Sequence, residues 1–386
     1  MQIHANHKEI LNGKTTDIYF HRTEEILKKE KKNPNVTAEV WTKNLPVNYK
    51  WAIFSGLSEV LELFKNKKVD ICALPEGSVF LEREPVLTIK GKYLNFAKFE
   101  TPLLGYICQA SGISTKAARC RITAGNRTVL SFGARRMHPA ITPVIDRYAY
   151  IGGVDGVSAV LSAEKLNLKP KGTIPHAVII IIGDTVKCAV AYDKTIAKGI
   201  PRTILVDTFG DEKIEGLRLA ERLQNKLDAI RIDTPSSRRG NLSLIAKEIR
   251  EELDNRDFTN IDIFVSGGLD EYSLQDLNPY AEGYGIGTSL SNAPTINFSL
   301  DIVEIEGKLI SKKGKVAGEK QILECMRCGR RNIVSSKEIK TRCKCGNEMS
   351  VLTKPIMKKG KVLLEEKEEV DEIRNRVIRQ LRFLDV

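Results

Sequence analysis

The chain reads as an α/β protein in which a β/α barrel carries the chemistry. An N-terminal α+β domain precedes it and a C-terminal zinc-ribbon or knuckle module follows. Three observations predict this. From about Leu103 to Leu300 short apolar runs alternate with amphipathic stretches, the pattern of βα units. Three of those runs enter loops of one kind: Ile230-Arg231-Ile232-Asp233-Thr234, Val265-Ser266-Gly267-Gly268-Leu269-Asp270, and Gly283-Tyr284-Gly285-Ile286-Gly287-Thr288-Ser289. After Leu300 the alternation stops and four cysteines cluster. The expected division is 1–105, 106–300 for the barrel, 301–361 for a hairpin and the zinc module, and 362–386 for a closing helix.

The first hundred residues mix signals. Trp51 to Phe64 has helical spacing, with Leu57, Val60, Leu61 and Phe64 apolar and Glu59 and Glu62 polar. Val69–Gly77 and Pro85–Gly91 read as strands joined by turns. Barrel strands are predicted at Thr128–Ser131, Thr203–Val206, Ala229–Ile232, Ile261–Val265 and Glu282–Ile286. Helices are predicted at Val157–Leu166, Glu212–Leu223, Leu242–Leu253 and Leu274–Leu277. The run His176-Ala-Val-Ile-Ile-Ile-Ile-Gly183 fits a strand by its β-branching and a buried helix by its composition, and periodicity leaves both open. Val303–Lys308 and Leu309–Lys312 form a predicted hairpin, and Leu363 to Leu384 a charged helix with an apolar docking stripe.

Bulk properties exclude several classes. With 386 residues, 42% hydrophobic and 28% charged, the chain fits a soluble protein of two or three domains. No apolar run approaches the ~20 residues of a membrane span, and the start lacks a signal-peptide core, so a cytoplasmic location is expected. The net charge of +12 suggests a polyanion partner until it is mapped. Residues 307–361 hold 16 lysines and arginines against four acidic residues, while the rest of the chain is balanced at 45 against 45. The barrel therefore has no global positive field, which disfavours nucleic acid as its partner. An RNA-binding barrel with a basic zinc ribbon is the remote alternative.

Cys72, Cys108, Cys120 and Cys188 stand singly in apolar contexts and read as buried thiols. Cys325 with Cys328, and Cys343 with Cys345, are two pairs each followed by glycine. Four thiolates at this spacing suit a tetrahedral, closed and therefore structural zinc site in a reducing compartment. Glycines just past strands let backbone N–H groups approach an anion, and a neighbouring carboxylate can hold sugar hydroxyls. Loops of this kind on neighbouring strands share one rim, where a β/α barrel binds phosphorylated sugars.

Upstream lie Ser131-Phe132-Gly133-Ala134-Arg135-Arg136-Met137-His138 and Gly172-Thr173-Ile174-Pro175-His176. Together with the three loops, in this order from Pro75-Glu76-Gly77 to Ser289, they resemble the nicotinate phosphoribosyltransferase family. The resemblance covers over half the chain, on motifs specific in combination. It implies an irregular barrel of the quinolinate phosphoribosyltransferase type and a homo-oligomer that completes sites between subunits. It also implies transfer of phosphoribose from phosphoribosyl pyrophosphate to nicotinate, with Mg²⁺. By motif position Asp233 contacts the ribose or its magnesium, and Arg231 the phosphates. Gly267, Gly268, Asp270, Gly287 and Thr288 form the phosphate and ribose cradle. Phe132 stacks on the pyridine ring and Arg135 pairs with its carboxylate. His176 accepts phosphate from ATP, with His138 in a positioning role. Lys116 and Arg119 are candidate pyrophosphate contacts. Asp155 is a candidate facing the pyridine substituent, where a carboxylate suits an amide better than an acid. Quinolinate and nicotinamide are the alternative acceptors. Quinolinate needs cations for two carboxylates and has no use for a phosphorylated histidine.

Overall fold

The computed structural model describes residues 3–338, 342–363 and 368–386. Its contacts form two units: residues up to 115 with 294–380, and residues 116–293 with 381–386. The first boundary differs from 105/106 because Glu100–Ala124 is one unbroken helix of 25 residues that contributes to both units, and the second differs from 300/301 because Phe298–Ile305 pairs with Asn35–Thr42 of the first unit.

The first unit is built on a seven-stranded sheet of antiparallel pairs. Its edge-to-edge order is Lys308–Leu309, Phe298–Ile305, Asn35–Thr42, Pro85–Lys92, Val69–Ala73, Lys354–Lys358 and Lys361–Val362. Helix Leu57–Phe64 buries Leu57, Val60, Leu63 and Phe64, a spacing that gathers apolar side chains on one face. Helical spacing from Trp51 predicts an earlier start. Instead Ala52–Ile53 pairs with Val79–Phe80, and Gly56 at φ +98° turns the chain into the helix. The predicted hairpin turns at Glu306–Gly307 rather than after Lys308, and both residues have positive φ, as tight antiparallel turns require.

Three further strands, Lys320–Cys325, Arg331–Ser335 and Met349–Val351, form the sheet of the cysteine module. The closing helix is Val370–Leu381, with Ile373 and Val377 buried against Gly77. Part of the predicted Leu363–Leu384 helix, residues 364–367, lies outside the described residues. Among the described residues no helix is long and apolar enough to cross a membrane.

The second unit holds six parallel strands: β1 (Thr128–Ser131), β2 (Gly156–Val157), β3 (Thr203–Leu205), β4 (Ala229–Ile232), β5 (Asp262–Ser266) and β6 (Gly283–Ile286). Their order is β2-β1-β6-β5-β4-β3. Among the described residues no ladder joins β2 to β3, so the barrel is irregular there. Because every pair is parallel, all six C-terminal ends share one rim. Helices Glu212–Leu223 and Leu242–Asp254 follow β3 and β4, and side-chain oxygens of Asp211 and Asn241 cap their N-termini. The apolar run after Pro175 resolves as a helix, His176–Ile182, which puts His176 in its first turn.

Candidate active site

The rim places most of the expected residues around one cavity of about 300 Å³. After β1 come Phe132, Arg135 and Arg136; β4 supplies Arg231 and Asp233. Ser266, Gly267, Gly268 and Asp270 follow from β5, and Gly287 and Thr288 from β6. Among the described residues the amides of Gly267, Gly268, Leu269, Gly287, Thr288 and Ser289 donate to no group of the chain. Gly267 and Gly268 reach this arrangement at φ +92° and +74°. Two sets of unspent donors on adjacent strand ends are what a phosphate monoester needs.

The other glycines of the third loop do something different. Gly283 and Gly285 are two residues apart on β6 and so face the same side. A Cβ at Gly283 would come within 2.6 Å of the Phe264 ring, and one at Gly285 would overlap the ring of Phe132. They are slots for aromatic rings, not phosphate contacts. The two rings pack at 6.0 Å between centroids, which fixes Phe132 at the cavity wall.

Arg231 is held on three sides. Nε donates to Ser266 Oγ at 2.9 Å, Nη1 to Thr173 Oγ1 at 2.8 Å, and Nη2 pairs with Asp233 Oδ2 at 3.2 Å. Its guanidinium carbon lies 5.1 Å from the Phe132 centroid. Burial lowers its pKa, with Asp233 and Asp207 opposing the shift, and guanidinium chemistry keeps it charged. Ser266 Oγ also lies 2.8 Å from Asp233 Oδ1, so one hydroxyl links the cation and the carboxylate.

His176 sits beside this network. Its Nδ1 is 3.0 Å from Thr208 Oγ1, and its Nε2 is 3.7 Å from both Asp207 Oδ2 and Asp233 Oδ2. The side chain is 36% exposed. Asp207 is buried, and its Oδ1 has no hydrogen-bond partner among the described residues. Burial raises the Asp207 pKa, partly opposed by His176.

Three expected residues are engaged elsewhere. Asp155 precedes β2 and therefore sits at the wrong end of the strand. It accepts from Arg121 Nη1 at 2.6 Å and from the Val129 amide at 2.9 Å. The residue that follows β2 at the rim is Ser158, whose amide donates to Ser131 O at 3.2 Å, next to Phe132. Lys116 and Arg119 both pair with Glu271, Arg119 Nε at 3.0 Å, and Arg119 is 1% exposed. A buried acid holds both cations away from solvent. Asp270 lines the cavity, yet its Oδ1 accepts from the amides of Tyr272 and Ser273 and shapes the turn. His138 Nδ1 accepts from the Ala140 amide, a local capping bond. Asp207, Thr208, Thr173 and Ser266 were not singled out from the sequence. Val206-Asp207-Thr208 repeats the strand-Asp-Thr device of Ile232-Asp233-Thr234, and that repetition was the available signal.

The cysteine module forms a second centre. The four sulfurs of Cys325, Cys328, Cys343 and Cys345 lie within 4.8 Å of one another, with Cys325–Cys345 at 3.5 Å and Cys328–Cys343 at 3.4 Å. Bonds of about 2.3 Å to one tetrahedral metal ion put sulfurs at such separations.

Family models of quinolinate phosphoribosyl transferase match in series, the N-terminal domain over residues 17–111 and the C-terminal domain over 113–301. The chain belongs to the quinolinate phosphoribosyltransferase family. The crystal structure of nicotinate-nucleotide pyrophosphorylase from Pyrococcus furiosus is 45% identical, covers 100% of this chain and 99% of its own, and superposes with a TM-score of 0.97. Human nicotinic acid phosphoribosyltransferase shares the fold at 18% identity, covering 96% of this chain and 94% of its own, with a TM-score of 0.76. Nicotinate phosphoribosyltransferase pncB1 of Mycobacterium tuberculosis is 28% identical over 318 residues, 73% of this chain and 70% of its own. The family's enzymes are phosphoribosyltransferases, and the unspent amides and the Arg231–Asp233 pair line one cavity at the strand ends.

Proposed function

We propose that this enzyme joins nicotinate to the phosphoribosyl group of phosphoribosyl pyrophosphate, forming nicotinate mononucleotide and pyrophosphate. The observation that carries the choice of acceptor is the rim beside Phe132. It bears the guanidiniums of Arg135 and Arg136, while the one carboxylate expected there, Asp155, is bound to Arg121 at the far end of β2. A planar cation next to an aromatic face suits an aromatic acid and gives an amide no ionic partner. The Mycobacterium tuberculosis relative, named for nicotinate, supports the same reading.

In this reading Phe132 stacks on the pyridine and Arg135 takes its carboxylate. The glycine loops hold the 5′-phosphate. The pyridine nitrogen attacks C1 of the ribose as the bond to pyrophosphate breaks, and Asp233 stabilises the positive charge that develops on the ring. A bound Mg²⁺, held with Asp233, would offset charge on the leaving pyrophosphate. ATP drives the reaction through His176. Thr208 holds Nδ1, leaving the Nε2 lone pair to take the γ-phosphoryl group as ADP departs, with Asp207 and Asp233 beside it. The four cysteines hold a structural zinc ion, and the enzyme works as a cytoplasmic homo-oligomer.

A substrate panel with phosphoribosyl pyrophosphate and Mg²⁺ tests the acceptor. Pyrophosphate release is expected with nicotinate and not with nicotinamide or quinolinate. Comparable turnover of nicotinamide would refute acid selectivity. Turnover of quinolinate with release of carbon dioxide would establish a second reading, which Arg135 and Arg136 together favour as cations for two carboxylates. For the ATP step, His176→Ala is expected to abolish stimulation by ATP and keep a basal transfer rate. A labelled phosphoenzyme persisting in that variant would remove His176 from the role.

A further inference from the structure

Loss of Lys116 and Arg119 to Glu271 leaves the phosphate side of the cavity short of the cations assigned to it. Arg231 makes up the deficit only in part, since Asp233, Ser266 and Thr173 take three of its five N–H donors. A different guanidinium stands next to the glycine loop. Arg239, in the loop that follows β4, donates through Nη2 to the carbonyl of Gly267 at 3.3 Å. Its Nη1 is buried and lies within hydrogen-bond distance of no acceptor among the described residues. A buried guanidinium nitrogen without an acceptor forfeits a hydrogen bond, and no group of the described residues supplies one here. The arrangement suits a site in which an anion arrives. Burial disfavours the charge, and Asp233 partly restores it.

We propose that Arg239 is a further phosphate-binding residue of this site, its free Nη1 taking an oxygen of the ribose 5-phosphate seated on the Gly267–Gly268 amides. The proposal rests on the phosphoribosyl reading above, and only on its sugar-phosphate half. The tie to Gly267 decides between the two phosphate groups of the donor. Nη2 grips the carbonyl of Gly267, which holds the guanidinium beside the glycine loop and not at the far end of the donor. A guanidinium then contributes charge where the loop alone offers only dipoles.

The test is titration calorimetry of the full chain with ribose 5-phosphate and, separately, inorganic pyrophosphate. In Arg239→Gln, which keeps an amide donor for the Gly267 carbonyl, affinity for ribose 5-phosphate is expected to fall by about ten- to a hundredfold, the value of one charge-assisted hydrogen bond. Pyrophosphate affinity is expected to hold within about twofold, and Arg239→Lys to recover part of the loss through its charge. Equal loss of both ligands, selective loss of pyrophosphate, or no loss at all overturns the assignment. So does wild-type protein that fails to bind ribose 5-phosphate. Ribose 5-phosphate carries no base, so these outcomes are independent of whether nicotinate is the acceptor or His176 is phosphorylated.

Discussion

At the residue scale, the site depends on where small side chains let large ones sit. Gly285 has room for Phe132 only because it lacks a Cβ. Gly285→Ala therefore displaces the ring from the cavity wall without altering any charge. The expected result is a fall of about tenfold or more in kcat/KM for nicotinate, the cost of losing one aromatic contact, with KM for phosphoribosyl pyrophosphate changing far less. Equal effects on both substrates would separate Phe132 from base recognition. Asp155 gives the converse prediction. Asp155→Asn removes the charge that faces Arg121, whose side chain is only 10% exposed, and is expected to cost about 1–3 kcal/mol in a denaturation curve with no gain of nicotinamide turnover. These two residues also mark how far the sequence was legible. Arg231 lies in a strand, and Asp233, Gly267, Gly268, Gly287 and Thr288 follow strands, whose positions could be read from pattern, and all line the cavity. Asp155 was misplaced because β2 has two residues, Gly156–Val157, too few to show a period. Without the strand, nothing in the sequence tells its first end from its last.

At the scale of elements, legibility followed length and surroundings. Glu212–Leu223 and the strands Thr128–Ser131 and Ala229–Ile232 stand as predicted, since each has a regular apolar face and a polar boundary. The run after His176 left strand and helix open because its four consecutive isoleucines favour no period; the helix it forms exposes Ile180 and Ile181. The cysteine module was legible for another reason, since metal-ligand spacing needs no periodicity. It yields a prediction for the element as a whole. The module's strands Arg331–Ser335 and Met349–Val351 are short and mostly exposed, so a metal on the four cysteines, and not a core, is the expected tie for their ends. Purified protein is expected to contain one zinc ion per chain. Chelator treatment, or Cys343→Ser, is expected to lose that ion and to bring fast amide exchange to residues 320–351. Slow exchange in the metal-free protein would show that the module holds itself together.

At the scale of the whole molecule, the positive charge confined to residues 307–361 is partly spent inside the fold. Glu39 and Asp301 lie directly opposite each other on neighbouring strands, an arrangement that repels. Lys315 and Lys320 pair with the fully buried Glu39 at 2.9 and 3.1 Å, and Lys312 with Asp301 at 2.7 Å. Lys315 also lies 4.1 Å from the ring centroid of Trp41. Lysines that offset buried carboxylates are not available to a polyanion, which agrees with a balanced catalytic unit and a small-molecule substrate. The same neighbourhood sets a pH dependence. Burial pushes the Glu100 carboxyl up to about 7, with Asp301 adding to the shift and Lys312 opposing it. The unfolded chain releases this proton near pH 4.5, while the folded chain keeps it to about 7. Stability from this group is therefore complete below pH 4.5, falls as pH rises through the window, and is level above it. Discounted for partial exposure, the fall is about 1–3 kcal/mol. Glu100→Gln removes the titration, so its melting temperature is expected to exceed the wild type's by a few degrees at pH 8 and to match it near pH 4.5. An offset between the two proteins that does not change from pH 4.5 to 8 would mean that Glu100 is ionised in the native state, with Lys312 outweighing its burial.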